Sequence, residues 1–231
     1  MTTSFIQFEE LRLPIIVTKR KTSRRLILRY SPLRQCVSLT LPKSVSLKYG
    51  LNFVEQKREW IRLQLQKHSG NKGFVDGQII PVLGENLTLK YVGGRGIISE
   101  ASGALQVHGA NEFMARRVRS WLQKKCKIEI MRMADIYAAR LGVKLGKISL
   151  RDTSSRWGSC SHDGNLSFSW RLIFAPIEVL HYVVAHEVAH IREHNHSPAF
   201  WAYVAQICPN WKHSRDWLKK HGTSLYNYGN E

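Results

Sequence analysis

Two histidines and a glutamate set in an apolar run, His186-Glu187-Val188-Ala189-His190 behind Val183-Val184-Ala185, are the residues of this chain best suited to chemistry. On an α-helix, positions four apart share a face with Cβ atoms about 5–6 Å apart, so the rings of His186 and His190 can converge on one ion. Glu187 starts the next face around, close to that ion without being a natural third ligand. Two imidazoles holding zinc beside a carboxylate that handles a metal-activated water is the arrangement of a zinc hydrolase.

Five of the ten histidines, His181, His186, His190, His194 and His196, fall between positions 181 and 196. A helix continued through His194 would put that ring about 12 Å along the axis from His186, too far to share an ion whose bonds to nitrogen are near 2.0–2.1 Å. The third ligand therefore has to come from beyond a turn. Asn195 tolerates the left-handed conformation that ends helices, and Ser197-Pro198 is a helix start. His196 sits at that corner and is the expected third ligand, with His194 as the alternative. His181, five residues before His186, falls on another face and reads as an ordinary helix residue, while His108, His162 and His213 have no partner at ligand spacing. A fourth coordination position would be left to water, as catalytic zinc sites require.

The elements around this motif follow from hydrophobic period and turn chemistry. Pro176 opens the helix that carries the pentad, and Ser197-Pro198 opens the next, which runs to about Cys208. Pro209-Asn210 separates that helix from a last one over Ser214 to His221, closed by Gly222. Asn111 begins a long helical region through Leu141, with Met114, Val118, Leu122, Met133, Tyr137 and Leu141 facing a core and Gly142 ending it. That helix is expected to back the active site. Ile148–Arg151 and Leu166–Trp170 read as strands on either side of Ser154-Ser155-Arg156-Trp157-Gly158-Ser159-Cys160. The Asn165–Trp170 stretch would either present an edge to an extended peptide or be a plain buried strand.

Further upstream the chain reads as β structure. Arg12–Lys19, Arg24–Tyr30 and Cys36–Leu41 are expected strands, with a hairpin connection over Ser31–Gln35, and Ser46 caps one amphipathic helix over about 46–68. Residues Ser69 to Gly73 form a linker-like turn. Short strands follow at Gln78–Leu83, Leu87–Val92, Ile97–Ser99 and Ala104–His108. Gly93-Gly94-Arg95-Gly96 is expected to be a turn between strands, for which a hairpin suffices, and not a phosphate loop, because no helix with Lys-Ser/Thr comes after it. The expected division is a β-rich N-terminal subdomain over 1–110 and a catalytic region carrying the pentad over 111–231, in an α+β fold.

With 231 residues the chain can bury a core without staples. Its four cysteines, Cys36, Cys126, Cys160 and Cys208, are scattered with no Cys-x-x-Cys pair, and Gln7, Glu9 and Glu10 break the first apolar positions, so a reducing, cytoplasmic setting is expected. No run of eighteen apolar residues exists, which excludes a hydropathic membrane span. Thirty-five Lys and Arg stand against 17 Asp and Glu, a formal charge of +18. Such a field attracts nucleic acid or acidic proteins weakly, although no nucleic-acid-binding signature accompanies it and the pairs Arg24-Arg25, Arg116-Arg117 and Lys124-Lys125 are short.

Four separated blocks, in order, carry a resemblance to a known family. They are Arg151-Asp152-Thr153-Ser154-Ser155-Arg156-Trp157-Gly158-Ser159-Cys160-Ser161, Leu166-Ser167-Phe168-Ser169-Trp170-Arg171-Leu172, Tyr182-Val183-Val184-Ala185-His186-Glu187 and Asn195-His196-Ser197-Pro198-Ala199-Phe200-Trp201. Together they closely resemble the YgjP-like zinc metallopeptidase family, from about Lys21 to the terminal Trp217-Leu218 helix. The resemblance implies a zincin-like catalytic region with an active-site helix, a backing helix and a small sheet, related to the SprT-like and WLM-type proteases. It matches His186, His190 and His196 to the metal positions and Glu187 to the catalytic glutamate.

The expected function is thus zinc-dependent hydrolysis of peptide bonds in a peptide or protein substrate, as an endopeptidase or aminopeptidase, with Glu187 taking the proton of the attacking water. Arg156 is the candidate for stabilising the oxyanion, set against a purely structural role. A thiol nucleophile at Cys160 would leave the pentad unexplained. The competing class is a nucleic-acid-associated protease, or a basic nucleic-acid-binding module in which the metal is merely structural.

Overall fold

Aliphatic residues alternating at Leu13, Ile15 and Val17 and again at Val37, Leu39 and Leu41 put one buried face on a mixed sheet. Its strands are β1 (Thr3–Phe8), β2 (Leu13–Arg20), β3 (Ile27–Ser31) and β4 (Cys36–Pro42), in the order β1-β2-β4-β3 with β2 and β4 parallel. This is part of a computed structural model that describes residues 3–8, 13–31, 34–68, 73–153 and 156–229. Pro32 and Leu33 of the expected hairpin connection, residues 69–72 of the expected linker and Ser154-Ser155 lie outside the described residues.

The single helix expected over 46–68 is two, α1 (Leu47–Gln56) and α2 (Arg58–His68), joined at Lys57. Ser46 caps the first, its side chain accepting from the Tyr49 N–H at 3.2 Å. Lys57 leaves the helical conformation while its N–H still reaches the carbonyls of Phe53 and Val54, so the joint is one residue wide. Helix α1 rests on the sheet at Gly50, where an added Cβ would sit 2.7 Å from a Leu41 methyl. Val54 and Ile61 complete this core.

The chain divides into two compact units at residues 71 and 72. The sequence places the division at 110, and the difference has a plain cause. Strands β5 (Ile79–Val82), β6 (Glu85–Tyr91), β7 (Ser99–Ala101) and β8 (Ala104–Val107) form a second sheet, in the order β5-β6-β8-β7. Its inward residues Ile80, Val82, Leu87, Leu89, Leu105 and Val107 are buried in one cluster with the core face of α3 (Met114–Leu141), so this sheet belongs to the second unit.

Helix α3 is entered through a 3-10 turn over Asn111–Phe113 and ends at Gly142, which adopts the left-handed conformation with φ 61° and ψ 41°. Val118, Leu122, Cys126, Ile130, Met133, Tyr137 and Leu141 form its buried stripe. A third sheet holds β9 (Ile148–Arg151), β10 (Gly158–Cys160) and β11 (Leu166–Ser169). The order is β10-β11-β9, so β11 is the central strand. Of the two readings of Asn165–Trp170, the free edge is therefore corrected in favour of the enclosed strand: β10 occupies one side of β11 and β9 the other.

A 3-10 segment over Trp170–Phe174 leads to α4 (Ile177–Ala189), followed by α5 (Pro198–Ile207), α6 (Trp211–His221) and a 3-10 segment over Gly222–Asn227. Gly222 takes φ −55°, not a left-handed end, and passes α6 directly into that last segment. Nine residues of α4 are buried, leaving no polar face of the usual width, which is the signature of a helix inside a core. Its most exposed flank is held to α3 by His181, whose Nε2 lies 2.6 Å from Glu129 Oε1, and Glu129 also takes Arg132 at 2.6 Å. No helix among the described residues is long and apolar enough to cross a membrane.

The Arg132 hydrogen bond, reinforced by the His181 contact, lowers the Glu129 pKa below its usual value against the opposing effect of burial. A depressed carboxylate contributes stability above its unfolded pKa of about 4.3 and loses it as pH falls through the lower folded value. Glu129→Gln is therefore expected to destabilise the chain by about 1–3 kcal/mol at pH 7, and by progressively less as pH falls below about 4 through the lowered folded pKa. Denaturant melts of both proteins across that range measure the difference.

Candidate metal centre

Three histidine rings meet where α4 ends. His186 lies in its last turn, His190 is its C-terminal cap, and His196 follows after the corner, one residue before the cap of α5. One ring nitrogen from each lies within 4.8 Å of the others, and the Nε2 atoms of His186 and His196 are 3.1 Å apart. Two nitrogens bound to one tetrahedral ion at about 2.0–2.1 Å stand about 3.3 Å apart, so this spacing fits a shared metal. Neutral imidazoles suit a transition-metal ion such as zinc, copper, iron or nickel.

The corner differs from expectation in how it turns. Asn195 is not among the residues with positive φ; the helix instead tightens, with Ile191 donating to Val188 and Arg192 to Ala189. Glu193 stabilises the bend, its Oε1 accepting from the Asn195 N–H at 3.1 Å. Arg192 reaches back to α3, giving Leu141 O two hydrogen bonds of 2.6 and 3.0 Å. Ser197 then caps α5, accepting from the Phe200 N–H at 3.2 Å.

The first turn of α5 supplies a part of the site that helix spacing does not reveal. Phe200 is fully buried and its ring lies 4.4 Å from that of His190 at 29°, with His186 at 4.9 Å and His196 at 4.8 Å. Beyond its place in the Asn195–Trp201 block, its cue in the sequence is its position three residues after Ser197, which the helix cap converts into contact with all three rings.

Protonation favours ligation. His190 Nδ1 lies 3.0 Å from Glu193 O; a carbonyl only accepts, so that nitrogen carries the proton and Nε2 keeps its lone pair. Burial, with His190 and His196 as further causes, pushes His186 down to about 3, leaving the ring neutral at physiological pH. Its Nδ1 is buried without a hydrogen-bond partner among the described residues, and the ring is held instead by packing against Phe200 and Tyr182.

Glu187 is 5% exposed. Burial pushes its carboxyl up to about 8, with the Arg156 charge opposing. The close wall is Gly158: a Cβ there would come within 2.5 Å of Glu187 Oε1 and 2.6 Å of its Cγ. The glycine of the Arg156-Trp157-Gly158 block is thus the residue that makes room for the carboxylate. Sequence reading passed over it, although a glycine in a strand is a known sign of close approach.

These groups share one open cleft of about 370 Å³, lined by Arg156, Gly158, Cys160, His186, Glu187 and His190, with His194 and His196 at its side. His194 does not join the three converging nitrogens; its ring stacks on His162 at 5.2 Å and 11°. Cys160 faces the cleft as a thiol, pushed up to about 11 by burial and by the Glu187 charge, which is the wrong state for a nucleophile.

The segment that carries Arg156 into the cleft is held from the core. Arg171, 1% exposed, makes a bidentate pair with Asp152 at 2.7 and 3.2 Å and donates to Tyr228 O at 2.6 Å. Tyr226 Oη donates to Thr153 O at 2.8 Å, and Thr153 Oγ1 to Arg156 O at 2.7 Å. Trp157 packs on Tyr226 with ring centroids 5.1 Å apart.

Removing a ligand and removing its neighbour should have different effects on metal affinity. In calorimetric zinc titration of the metal-stripped chain, His196→Ala is expected to weaken binding by more than the roughly 10–100-fold that losing a ligand's supporting partner brings. His194→Ala is expected to leave it within a few-fold.

No curated protein matches the chain. Among solved structures it is similar to the metallopeptidase zymogen abylysin of Pyrococcus abyssi, with 21% identity and a TM-score of 0.37, over 39% of this chain and 93% of that one. The family described as YgjP-like, metallopeptidase domain, matches residues 24–221, from the strands of the first unit through the histidine corner to the end of α6. A match of that extent decides the matter: this chain belongs to the YgjP-like metallopeptidase family.

Proposed function

We propose that the chain is a zinc-dependent peptidase in which His186, His190 and His196 hold the metal and Glu187 is the general base. The observation that carries this reading is that a buried carboxylate and three converging imidazoles open onto the same cleft. A metal with a merely structural role would be closed off by a fourth protein ligand; among the described residues three histidines gather here and the cleft is open beside them.

Zinc held by these histidines would supply Lewis acidity, acidifying water and polarising a substrate carbonyl. Glu187 would accept the proton of the attacking water and deliver it to the leaving amine. A carboxyl raised by burial toward the working pH suits both halves of that transfer. Arg156, on the rim of the cleft, is the group positioned to favour negative charge on the carbonyl oxygen.

Substrate would lie along β10 rather than β11. β10 is an edge strand of its sheet, and its residues Gly158, Ser159 and Cys160 line the cleft. An extended peptide adding to that edge would gain main-chain hydrogen bonds, giving affinity with little sequence selectivity.

Glu187→Gln is expected to lower turnover about 10²–10⁴-fold while bound zinc stays stoichiometric. Peptide-library cleavage together with metal analysis reads both quantities; undiminished cleavage would remove Glu187 from its role. Gly158→Ala should also keep its zinc but lose roughly 10-fold or more in kcat, because the new methyl group displaces the carboxylate.

A further inference from the structure

A cleft of about 660 Å³, larger than the one at the histidines and sharing no residue with it, lies along the outward face of α3. Its floor is aliphatic and aromatic: Ile97 and Ile98 from the segment before β7, and Trp121 and Ile128 from the helix. Ile97 is 82% exposed and Ile128 58%, an apolar pair that solvated surfaces do not need. Its rim is cationic, with Arg116, Arg117, Lys124 and Lys125, and among the described residues no acidic side chain lines it.

The cleft is a built feature. Arg117 Nη2 donates to Gly96 O at 2.9 Å, tying the Ile97 segment to α3, while Arg117 Nε is buried without a partner. Arg116 lies over the Phe113 ring at 4.6 Å, and Lys125, paired with Glu100, lies 4.9 Å over Trp121. Positions 117, 121, 124 and 128 follow one face of α3 for about 17 Å, the length of three helical turns.

A ligand that satisfies both parts must carry negative charge and aliphatic side chains together. Inorganic anions and sugars leave the floor uncovered. Single-stranded nucleic acid binds through stacking platforms, and three of the four floor residues here are isoleucines, which offer none. An amphipathic helix with aliphatic residues on one face and acidic residues beside them meets both, in the helix-in-groove mode. We propose that this cleft docks an acidic, aliphatic-faced helical segment of a partner protein. The proposal is independent of the peptidase reading.

The test uses the full chain and a fluorescein-labelled helical peptide with leucine at i, i+4 and i+7 and glutamate on the flanking positions, followed by anisotropy. Versions with serine for leucine and with lysine for glutamate serve as comparisons, together with a single-stranded oligonucleotide of equal charge. The acidic leucine peptide is expected to bind roughly tenfold or more tighter than either variant peptide. Ile128→Ser and Lys124→Glu, both at exposed positions, are each expected to weaken it by a similar factor while circular dichroism stays unchanged. Absence of binding overturns the proposal. So does binding that ignores both Ile128→Ser and the serine peptide, which is diffuse charge attraction. Oligonucleotide binding of equal strength, with the same loss in Ile128→Ser, overturns it by assigning the cleft to nucleic acid.

Discussion

The burial of α4 is the constraint on which the rest of the second unit depends. Nine of its side chains are enclosed, so the helix cannot rotate without exposing aliphatic surface, and the direction of Glu187 into the core side of the cleft follows from that fixed phase. A carboxylate in such a place is costly when charged, and its raised pKa is the direct expression of that cost. The protein accommodates the carboxylate by removing a side chain opposite it, at Gly158, and by leaving Arg156 at the rim as a partial counter-charge.

The corner after α4 turns this fixed helix into a three-histidine site. It is assembled from short-range hydrogen bonds: a tightened last turn, the Glu193 side chain on the Asn195 N–H, and Ser197 on the Phe200 N–H. Arg192 then fastens the bend to the last carbonyl of α3, that of Leu141, after which the chain turns away at Gly142. The same arrangement that aligns His196 with His186 brings Phe200 against all three rings, so the rings are held by packing where hydrogen bonds to the protein are missing, as at His186 Nδ1.

A second frame holds the other wall of the cleft. The buried Arg171 guanidinium satisfies Asp152 and the Tyr228 carbonyl, lies over the Trp170 and Tyr226 rings, and so couples the start of the Arg156 segment to the C-terminal 3-10 segment. A buried arginine of this kind is costly unless every contact is in place. The requirement explains why residues as distant in sequence as Asp152, Arg171 and Tyr228 meet behind one short strand.

The sequence by itself determined the local pieces. The i, i+4 spacing of His186 and His190, the Ser197-Pro198 start, the Gly142 end of α3 and the alternation in β2 and β4 are all set by interactions within a few residues, where side-chain period and cap chemistry act directly. It also favoured His196 over His194 by reach alone. Whatever depended on which surfaces meet was settled only by the tertiary structure. The second sheet shares one core with α3, β11 is the centre and not the edge of its sheet, and the bend at Asn195 needs no left-handed residue. Gly158 and Phe200 belong to the same class, because the close approach of a strand to Glu187 and of a second helix to the histidines are contacts between elements that a linear pattern leaves open.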